Sequence, residues 1–141
     1  MHIAPFHIEL FRNCMLVTLR GKWTMSTNIQ YLGKLSESLK ARQGKPFHLF
    51  VDMRGWQIPK SDNFNQIKSS ITLDRRNQLS ELWLENEETD AEHIAQKFFN
   101  SSSTKLGFTL IRTHNVSDFI THCEDKADDM AIEYIRTWIG V

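Results

Sequence analysis

One stretch of this 141-residue chain limits its fold more than any other: Pro46 to Pro59, with the sequence PFHLFVDMRGWQIP. Within it, Phe47 to Val51 has the composition of a strand that is apolar on both faces, which is typical of the middle of a sheet covered by helices. This strand stops at an acid and continues into the loop Asp52-Met53-Arg54-Gly55-Trp56. Because ligands of such sheets gather where strands end, we expect the functional site near this loop.

Strand-like and helix-like patterns alternate along the chain. Phe6 to Phe11 and Cys14 to Leu19 have strand-forming patterns separated by two residues, which predicts an opening hairpin. A helix capped by Ser26 or Thr27 is predicted next, with Ile29, Leu32, Leu35 and Leu39 on one face, followed by the strand Phe47 to Val51 and a helix capped by Ser61. A strand near Leu79 to Leu84 and a helix whose capping box is Thr89 with Glu92 come after it.

The last predicted elements are a strand from Leu106 to Arg112 and a helix from Asn115 to Trp138. The apolar stripe of that helix consists of Phe119, Cys123, Ala127, Met130, Tyr134 and Trp138.

The order β-β-α-β-α-β-α-β-α predicts an α/β fold. Alternation of this kind favours a mixed sheet of about five strands, antiparallel in its first hairpin and otherwise parallel, flanked by about four helices. The length suits a single domain over residues 1–141. Since the strands after the first are parallel, their carboxyl ends share one edge. That edge is expected to carry Lys22-Trp23, Asp52 to Trp56, Glu85 to Glu88, and Arg112 to Asn115, which includes His114.

Composition excludes several partners. The 17 basic and 17 acidic residues cancel, and neither sign forms a long run, so we expect neither nucleic acid nor a membrane as a partner. No signal-like leader and no apolar run of about 18 residues is present, which predicts a soluble, cytoplasmic protein. Cys14 and Cys123 are too few for a disulfide framework and are expected to be reduced and buried.

The residues of the expected edge allow two kinds of interpretation. Asp52 is either a general base or cation ligand, or an acceptor that holds the turn. Arg54 either binds a carboxylate or phosphate, or forms a salt bridge with an acid of Glu85 to Glu88. Trp56 is either an interface anchor or a lid that folds back over the next helix, and Trp23 poses the same choice.

The histidines do not predict a metal site. His114 lies in a loop, while His122 and Cys123 are adjacent in a helix and therefore point about 100 degrees apart. We therefore expect no metal and no cofactor.

The element order, together with Leu16-Val-Thr-Leu-Arg-Gly-Lys-Trp23 and Leu49-Phe-Val-Asp-Met-Arg-Gly55, resembles the STAS domain of sulfate transporters and anti-sigma-factor antagonists. The likeness runs nearly end to end and extends to stand-alone bacterial proteins of this fold. It implies a non-catalytic regulatory or binding module. In the antagonist branch the corresponding loop resembles Asp-x-Ser-Gly, and a partner kinase phosphorylates its serine. Here Asp52 and Gly55 match, but Arg54 stands in place of that serine.

An arginine cannot accept the phosphoryl group of such a switch, and it places a fixed positive charge where phosphorylation would add negative charge. Ser61, at the start of the next predicted helix, is either a displaced phosphorylation site or a helix cap.

Two functional hypotheses follow. The first is a non-enzymatic, STAS-like regulatory module that docks a protein partner of unknown identity through Asp52, Arg54, Gly55, Trp56 and Ser61. The second is a small-ligand-binding or hydrolytic protein with a pocket at the carboxyl edge that uses Asp52, Arg54 and His114, with Trp23 nearby. A third hypothesis is a carrier of an apolar ligand, since larger lipid-transfer proteins share a similar fold. The apolar carboxyl end and a free sheet edge also suggest a homodimer.

Overall fold

A computed structural model of the protein describes residues 4–58, 75, 77–95, 108 and 110–141. In this part of the chain five strands and four helices occur. They are β1 (Phe6–Phe11), β2 (Cys14–Leu19), α1 (Met25–Ala41), β3 (Phe47–Asp52), β4 (Gln78–Leu84), α2 (Glu92–Ala95), β5 (Leu110–Thr113), α3 (Val116–Lys126) and α4 (Asp129–Ile139).

The five strands form one sheet in the order β1-β2-β3-β4-β5. The hairpin of β1 and β2 is antiparallel, and β2, β3, β4 and β5 are mutually parallel. β3 lies in the middle, and five of its six residues are buried. The predicted α/β class, with its antiparallel hairpin and parallel remainder, is therefore confirmed.

Each face of the sheet carries its own apolar core. On one face, Leu35 and Leu39 of α1 and Ile94 of α2 pack with side chains such as Val17 and Val51. On the other face, the core joins the sheet to α3 and α4, through residues that include Leu16, Phe50, Phe119, Cys123 and Ile135. A strand between two such cores must be apolar on both sides, which explains the composition of β3.

The predicted final helix is in fact two helices. The chain is extended at Ala127, and Asp128 caps α4 by accepting a hydrogen bond from the backbone N–H of Ala131. This break changes the helical phase, so Ala131, Ile135 and Ile139 are buried. Met130 and Tyr134, which were expected in the buried stripe, are instead 63% and 39% exposed. Of the apolar carboxyl end, Ile139 is therefore buried and Val141 is exposed.

Two other helix starts differ from prediction. α1 is capped by Thr24 rather than by Ser26 or Thr27, and Asn28 is buried while Ile29 is exposed. The shift follows from the side-chain oxygen of Thr24, which accepts a hydrogen bond from the backbone N–H of Thr27.

The predicted capping box at α2 is wrong as well. This helix begins at Glu92, and the hydroxyl of Thr89 donates to the carbonyl oxygen of Met53 instead of capping it. The predicted helix at Ser61 and residues 106, 107 and 109 of the last predicted strand lie outside the described residues.

Cys14 and Cys123 are both free and buried, as expected. Burial raises the pKa of the Cys14 thiol to about 11 and that of the Cys123 thiol to about 12. Among the helices that the structure describes, none combines the length and apolar character needed to cross a membrane.

Candidate functional site

The loops that follow β2, β3 and β4 are joined by backbone hydrogen bonds at the carboxyl edge of the sheet. The N–H of Trp23 donates to the carbonyl of Gln57, and the N–H of Gln57 donates to the carbonyl of Gly21, both at 2.9 Å. On the other side, the N–H of Asp90 donates to the carbonyl of Trp56, also at 2.9 Å. The three loops thus form a short parallel ladder that continues the sheet beyond its strands.

Asp52 ends β3 and is paired with two arginines. Its carboxylate accepts hydrogen bonds from Arg20 at 2.6 Å and from Arg54 at 2.8 and 2.9 Å, while its side chain is only 3% exposed. Burial acts to raise the pKa of Asp52, but the hydrogen bonds and charges of Arg54 and Arg20 outweigh it and hold the pKa below its usual value. The carboxylate is therefore ionised and occupied, as the turn-holding interpretation requires.

Arg54 joins the loop to the last helix as well as to Asp52. One of its terminal nitrogens donates to the carbonyl oxygen of Ile139, at the end of α4, at 3.1 Å. The bidentate carboxylate partner of Arg54 is thus Asp52 of the same chain, so among the described residues its salt bridge is to Asp52 and not to an acid of Glu85 to Glu88. The side chain of Arg54 is still 30% exposed, so part of the guanidinium is accessible from solvent.

Asn86 organises the turn that contains Gly55. Its side-chain oxygen accepts hydrogen bonds from the backbone N–H groups of Gly55 at 2.9 Å and Glu88 at 3.1 Å, and its own backbone N–H donates to the Thr89 hydroxyl oxygen at 3.0 Å. Gly55 has a φ of 77°, in the left-handed region where a side chain would be strained. The Thr89 hydroxyl completes the connection by donating to Met53 at 2.8 Å.

The two tryptophans of the edge point inward. Trp56 is 4% exposed and Trp23 is 3% exposed, and their rings meet edge to face at a centroid distance of 5.3 Å. The hypothesis that either residue is an outward anchor is therefore wrong. The indole N–H of Trp23 donates to the carbonyl of Arg20, whereas that of Trp56 is buried without a partner among the described residues.

A second ion-pair cluster lies farther along the same edge. Arg112 of β5 donates two hydrogen bonds to Glu85, at 2.7 and 2.8 Å, and also pairs with Glu92. Glu85 is 3% exposed, and its hydrogen bonds with Arg112 are the main cause of the raised pKa of that arginine. This cluster connects β5 to the loop after β4 and to α2.

The remaining predicted site residues do not gather around Asp52. His114 is exposed and follows Thr113, which aligns with Asp52 across β4, so about 10 Å of sheet separates the two positions. The hydrogen-bond partners of Asp52 in the described part of the chain are Arg20 and Arg54, not His114. Ser61 lies outside the described residues. Within the ranges that are described, no three His, Cys, Asp or Glu side chains are grouped so that they could hold a metal ion.

Sequence reasoning placed Asn86 and Arg112 on this edge without giving either a role, and it missed Arg20 as a partner of Asp52. Their positions in the sequence could have indicated a role in the site, since each of the three residues stands at or just beyond the carboxyl end of a predicted strand. Comparison of the chain with protein-family models, with curated proteins and with solved structures found no match.

Proposed function

We propose that this protein is a non-enzymatic, STAS-like regulatory module of the cytoplasm that docks a protein partner through the loop after β3. The docking loop is defined as Met53 to Ile58. The observation that carries the proposal is the way this loop is held in one shape while part of its outer surface stays accessible.

The support beneath the docking loop comes from both sides and from below. Backbone hydrogen bonds tie Gln57 to the loop after β2 and Trp56 to the loop after β4. Met53, Trp56 and Ile58 are buried, whereas Arg54, Gly55 and Gln57 are partly exposed. A surface fixed in this way loses little conformational freedom on binding, which favours affinity.

The charges around the docking loop suggest what a partner surface must offer. Arg20 and Arg54 share the single carboxylate of Asp52, so this end of the site carries excess positive charge. Glu87 and Glu88, in the loop after β4, are exposed and give the neighbouring part of the site negative charge. A partner with an acidic group facing the arginines and a basic group facing the glutamates would be complementary to both.

The resemblance to STAS domains supports the same proposal. The structure has the mixed sheet flanked by helices that the resemblance implies, and the docking loop is the segment that corresponds to the switch loop of the antagonist branch. Arg54 occupies the position of the phosphorylatable serine, and its contacts with Asp52 and Ile139 give it a permanent structural role. We therefore propose binding through this loop without control by phosphorylation at position 54.

The hydrolytic alternative has weaker support. A general base needs a free lone pair near its substrate, and both carboxylate oxygens of Asp52 already accept hydrogen bonds from arginine. The lowered pKa also makes this carboxylate a poorer base.

The test is affinity capture from a lysate of the source organism with wild-type protein, Arg54→Ala and Arg12→Ala. Arg12 is a matched control, because it is also an arginine paired with an aspartate, Asp128, but lies in the hairpin turn at the opposite end of β2. Recovery of the partner should fall about tenfold with Arg54→Ala and stay unchanged with Arg12→Ala. Thermal unfolding curves must show that both variants are folded at the capture temperature.

A second variant separates a surface effect from a change inside the loop. Gln57→Arg alters a partly exposed side chain and leaves the backbone ladder of Gln57 in place. Loss of the same partner with folded Gln57→Arg would support the proposal. Retention of every captured protein by both Arg54→Ala and Gln57→Arg, or capture of none by the wild type, would overturn it.

A further inference from the structure

β1 lies at one end of the sheet, and β2 is its only strand neighbour among the described residues. Edge strands of this kind present a row of backbone N–H and C=O groups that can pair with another chain. Proteins commonly protect such edges with charges, prolines or bulges. β1 runs for six residues in regular register with β2, so its open side is straight enough to pair.

The hairpin determines which backbone groups of β1 face outward. Phe11 and Cys14 flank a two-residue turn, so they form a hydrogen-bonded pair, and such pairs alternate along the hairpin. The N–H of Arg20 donates to the carbonyl of Pro5 at 2.9 Å. Pro5 stands six residues before Phe11, so this bond confirms that every second residue back from Phe11 is hydrogen-bonded to β2. The odd-numbered residues of β1 therefore bond to β2. The N–H and C=O groups directed to the open side belong to Phe6, Ile8 and Leu10.

Apolar side chains flank this open side on both faces of the sheet. On the α1 face, Leu10 is 43% exposed. With Phe6 and Ile8 it forms the apolar wall of a groove of about 490 Å³, whose opposite wall is the more polar set Lys34, Glu37, Ser38 and Ala41 of α1. On the other face, Tyr134 of α4 stacks on Phe11 with ring centroids 4.2 Å apart, and Met130 stands one turn away. Within the described part of the chain, this edge therefore combines backbone groups that have no strand partner with exposed apolar side chains.

We propose that a second copy of this chain pairs antiparallel with β1 about a two-fold axis at Ile8. The three outward-facing residues are symmetric about Ile8, so this register pairs Ile8 with itself and Phe6 with Leu10 of the second copy. All three then exchange backbone hydrogen bonds across the interface. The two five-stranded sheets become one continuous sheet of ten strands, which is a closed, self-complementary arrangement.

Side-chain complementarity selects this register and this occupant, because it lets each imidazole face a carboxylate to which it can hydrogen-bond. The axis at Ile8 places His7 opposite Glu9 of the second copy, and places Glu9 opposite the second His7. These are the non-hydrogen-bonded positions, where facing side chains approach most closely. Moving the axis by one residue would place Glu9 opposite Glu9 or His7 opposite His7. In the monomer His7 already bonds to its own Glu9 at 2.8 Å, so dimerisation exchanges one partner for an equivalent one.

The proposal is independent of the proposed function, but it has a consequence for it. The two-fold axis reverses the strand direction of the second copy. The carboxyl ends of the parallel strands of the two copies therefore lie at opposite edges of the ten-stranded sheet. The two docking loops then face away from each other, so each can be occupied without hindering the other.

Site-directed crosslinking tests the strand register. Ile8→Cys places two thiols across the axis, where Cα atoms about 5.5 Å apart suit a disulfide. Leu10→Cys is the matched control: it is more exposed, but its copies would lie about 13 Å apart in this register. We expect mild oxidation to give a disulfide dimer of Ile8→Cys and only monomeric chains of Leu10→Cys on a non-reducing gel.

A charge exchange tests the facing pairs without touching the core. His7→Glu should raise the dimer dissociation constant about tenfold, because it places like charges opposite each other twice. His7→Glu combined with Glu9→Lys should restore dimerisation, since the exchange creates two opposite-charge pairs in place of the like-charge ones. His7→Lys should retain the dimer. Light scattering over a range of concentrations measures all three.

The crosslinking and light-scattering results can either support or overturn the proposed dimer. Crosslinking of Ile8→Cys with loss and rescue in the charge series would establish the interface. A wild-type protein that stays monomeric at millimolar concentration would overturn the proposal. So would a dimer that crosslinks through Leu10→Cys rather than Ile8→Cys, or one that His7→Glu leaves unchanged.

Discussion

The carboxyl edge of the sheet and the outer side of β1 differ in where their polar groups form hydrogen bonds. At the carboxyl edge, Asp52, Arg54 and Asn86 direct their hydrogen bonds back into the chain, and the three loops pair with one another. At β1, the outward backbone groups have no strand partner in the described part of the chain. The first region offers a fixed shape with charged side chains, and the second offers backbone hydrogen bonds. The contrast suggests two modes of recognition in one small molecule.

The largest loss of folding stability should come from removing the tryptophan side chain that packs beneath the docking loop. Trp56→Ala deletes a side chain that is 96% buried against Trp23, and should lower the free energy of unfolding by about 3–5 kcal/mol in urea titrations. Leu10→Ala, on the open side of β1, should cost less than about 1.5 kcal/mol because its side chain is already 43% exposed. Equal losses would mean that the two regions do not differ in internal support.

Asp52 should make stability depend on pH in a defined direction. Its pKa in the folded protein lies below the ordinary value of 3.8, so the folded state binds the proton less tightly than the unfolded chain does. The resulting stabilisation is fully present above about pH 5 and is lost as pH falls through 3.8 and then through the folded pKa. We expect Asp52→Asn to lose about 2 kcal/mol at pH 7, and this difference from the wild type should shrink in acid.

The matched control for that measurement is Glu37→Gln. Glu37 is also acidic and paired, with Lys34, but its side chain is 74% exposed. Its substitution should change stability little, because an exposed ion pair contributes little to stability. If the stability of Asp52→Asn followed the wild type in parallel down to pH 2, the ion pairs of Asp52 would not carry the proposed stabilisation.

The smallest expected effect is a difference in hydrogen-exchange rate between neighbouring backbone amides of β1. In dilute solution, hydrogen exchange should be slow at His7 and Glu9, whose N–H groups face β2, and about tenfold faster at Ile8 and Leu10. Raising the protein concentration should slow the second pair selectively if the second copy covers them. Uniform exchange rates along β1 at every concentration would contradict the difference between the two sides of this strand.

Much of the fold could be predicted because its signals are local. The apolar run of β3, the alternation in β1 and the order of elements each follow from neighbouring residues. The break between α3 and α4 had a local signal too, since Asp128 is a residue type that commonly caps the start of a helix. Reading Asp128 as such a cap would have divided the predicted helix at the correct place.

The candidate site was harder to predict because its contacts join distant segments. Arg20 is 32 residues from Asp52, and Arg54 is 85 residues from Ile139. No periodicity shows that two arginines will share one carboxylate or that one of them will reach α4. The direction of Trp56 has the same origin, since it depends on Trp23 and on the ladder that draws the loop toward the sheet.

The ladder formed by Gly21, Trp23, Trp56, Gln57 and Asp90 has a kinetic consequence. Its loops share backbone hydrogen bonds, so none can rearrange on binding without breaking its bonds to the others. A partner would meet a surface already in its bound shape, and no slow isomerisation would follow the first encounter. The observed association rate should then rise in proportion to partner concentration without reaching a plateau, and it should fall with added salt because the exposed charges guide the approach.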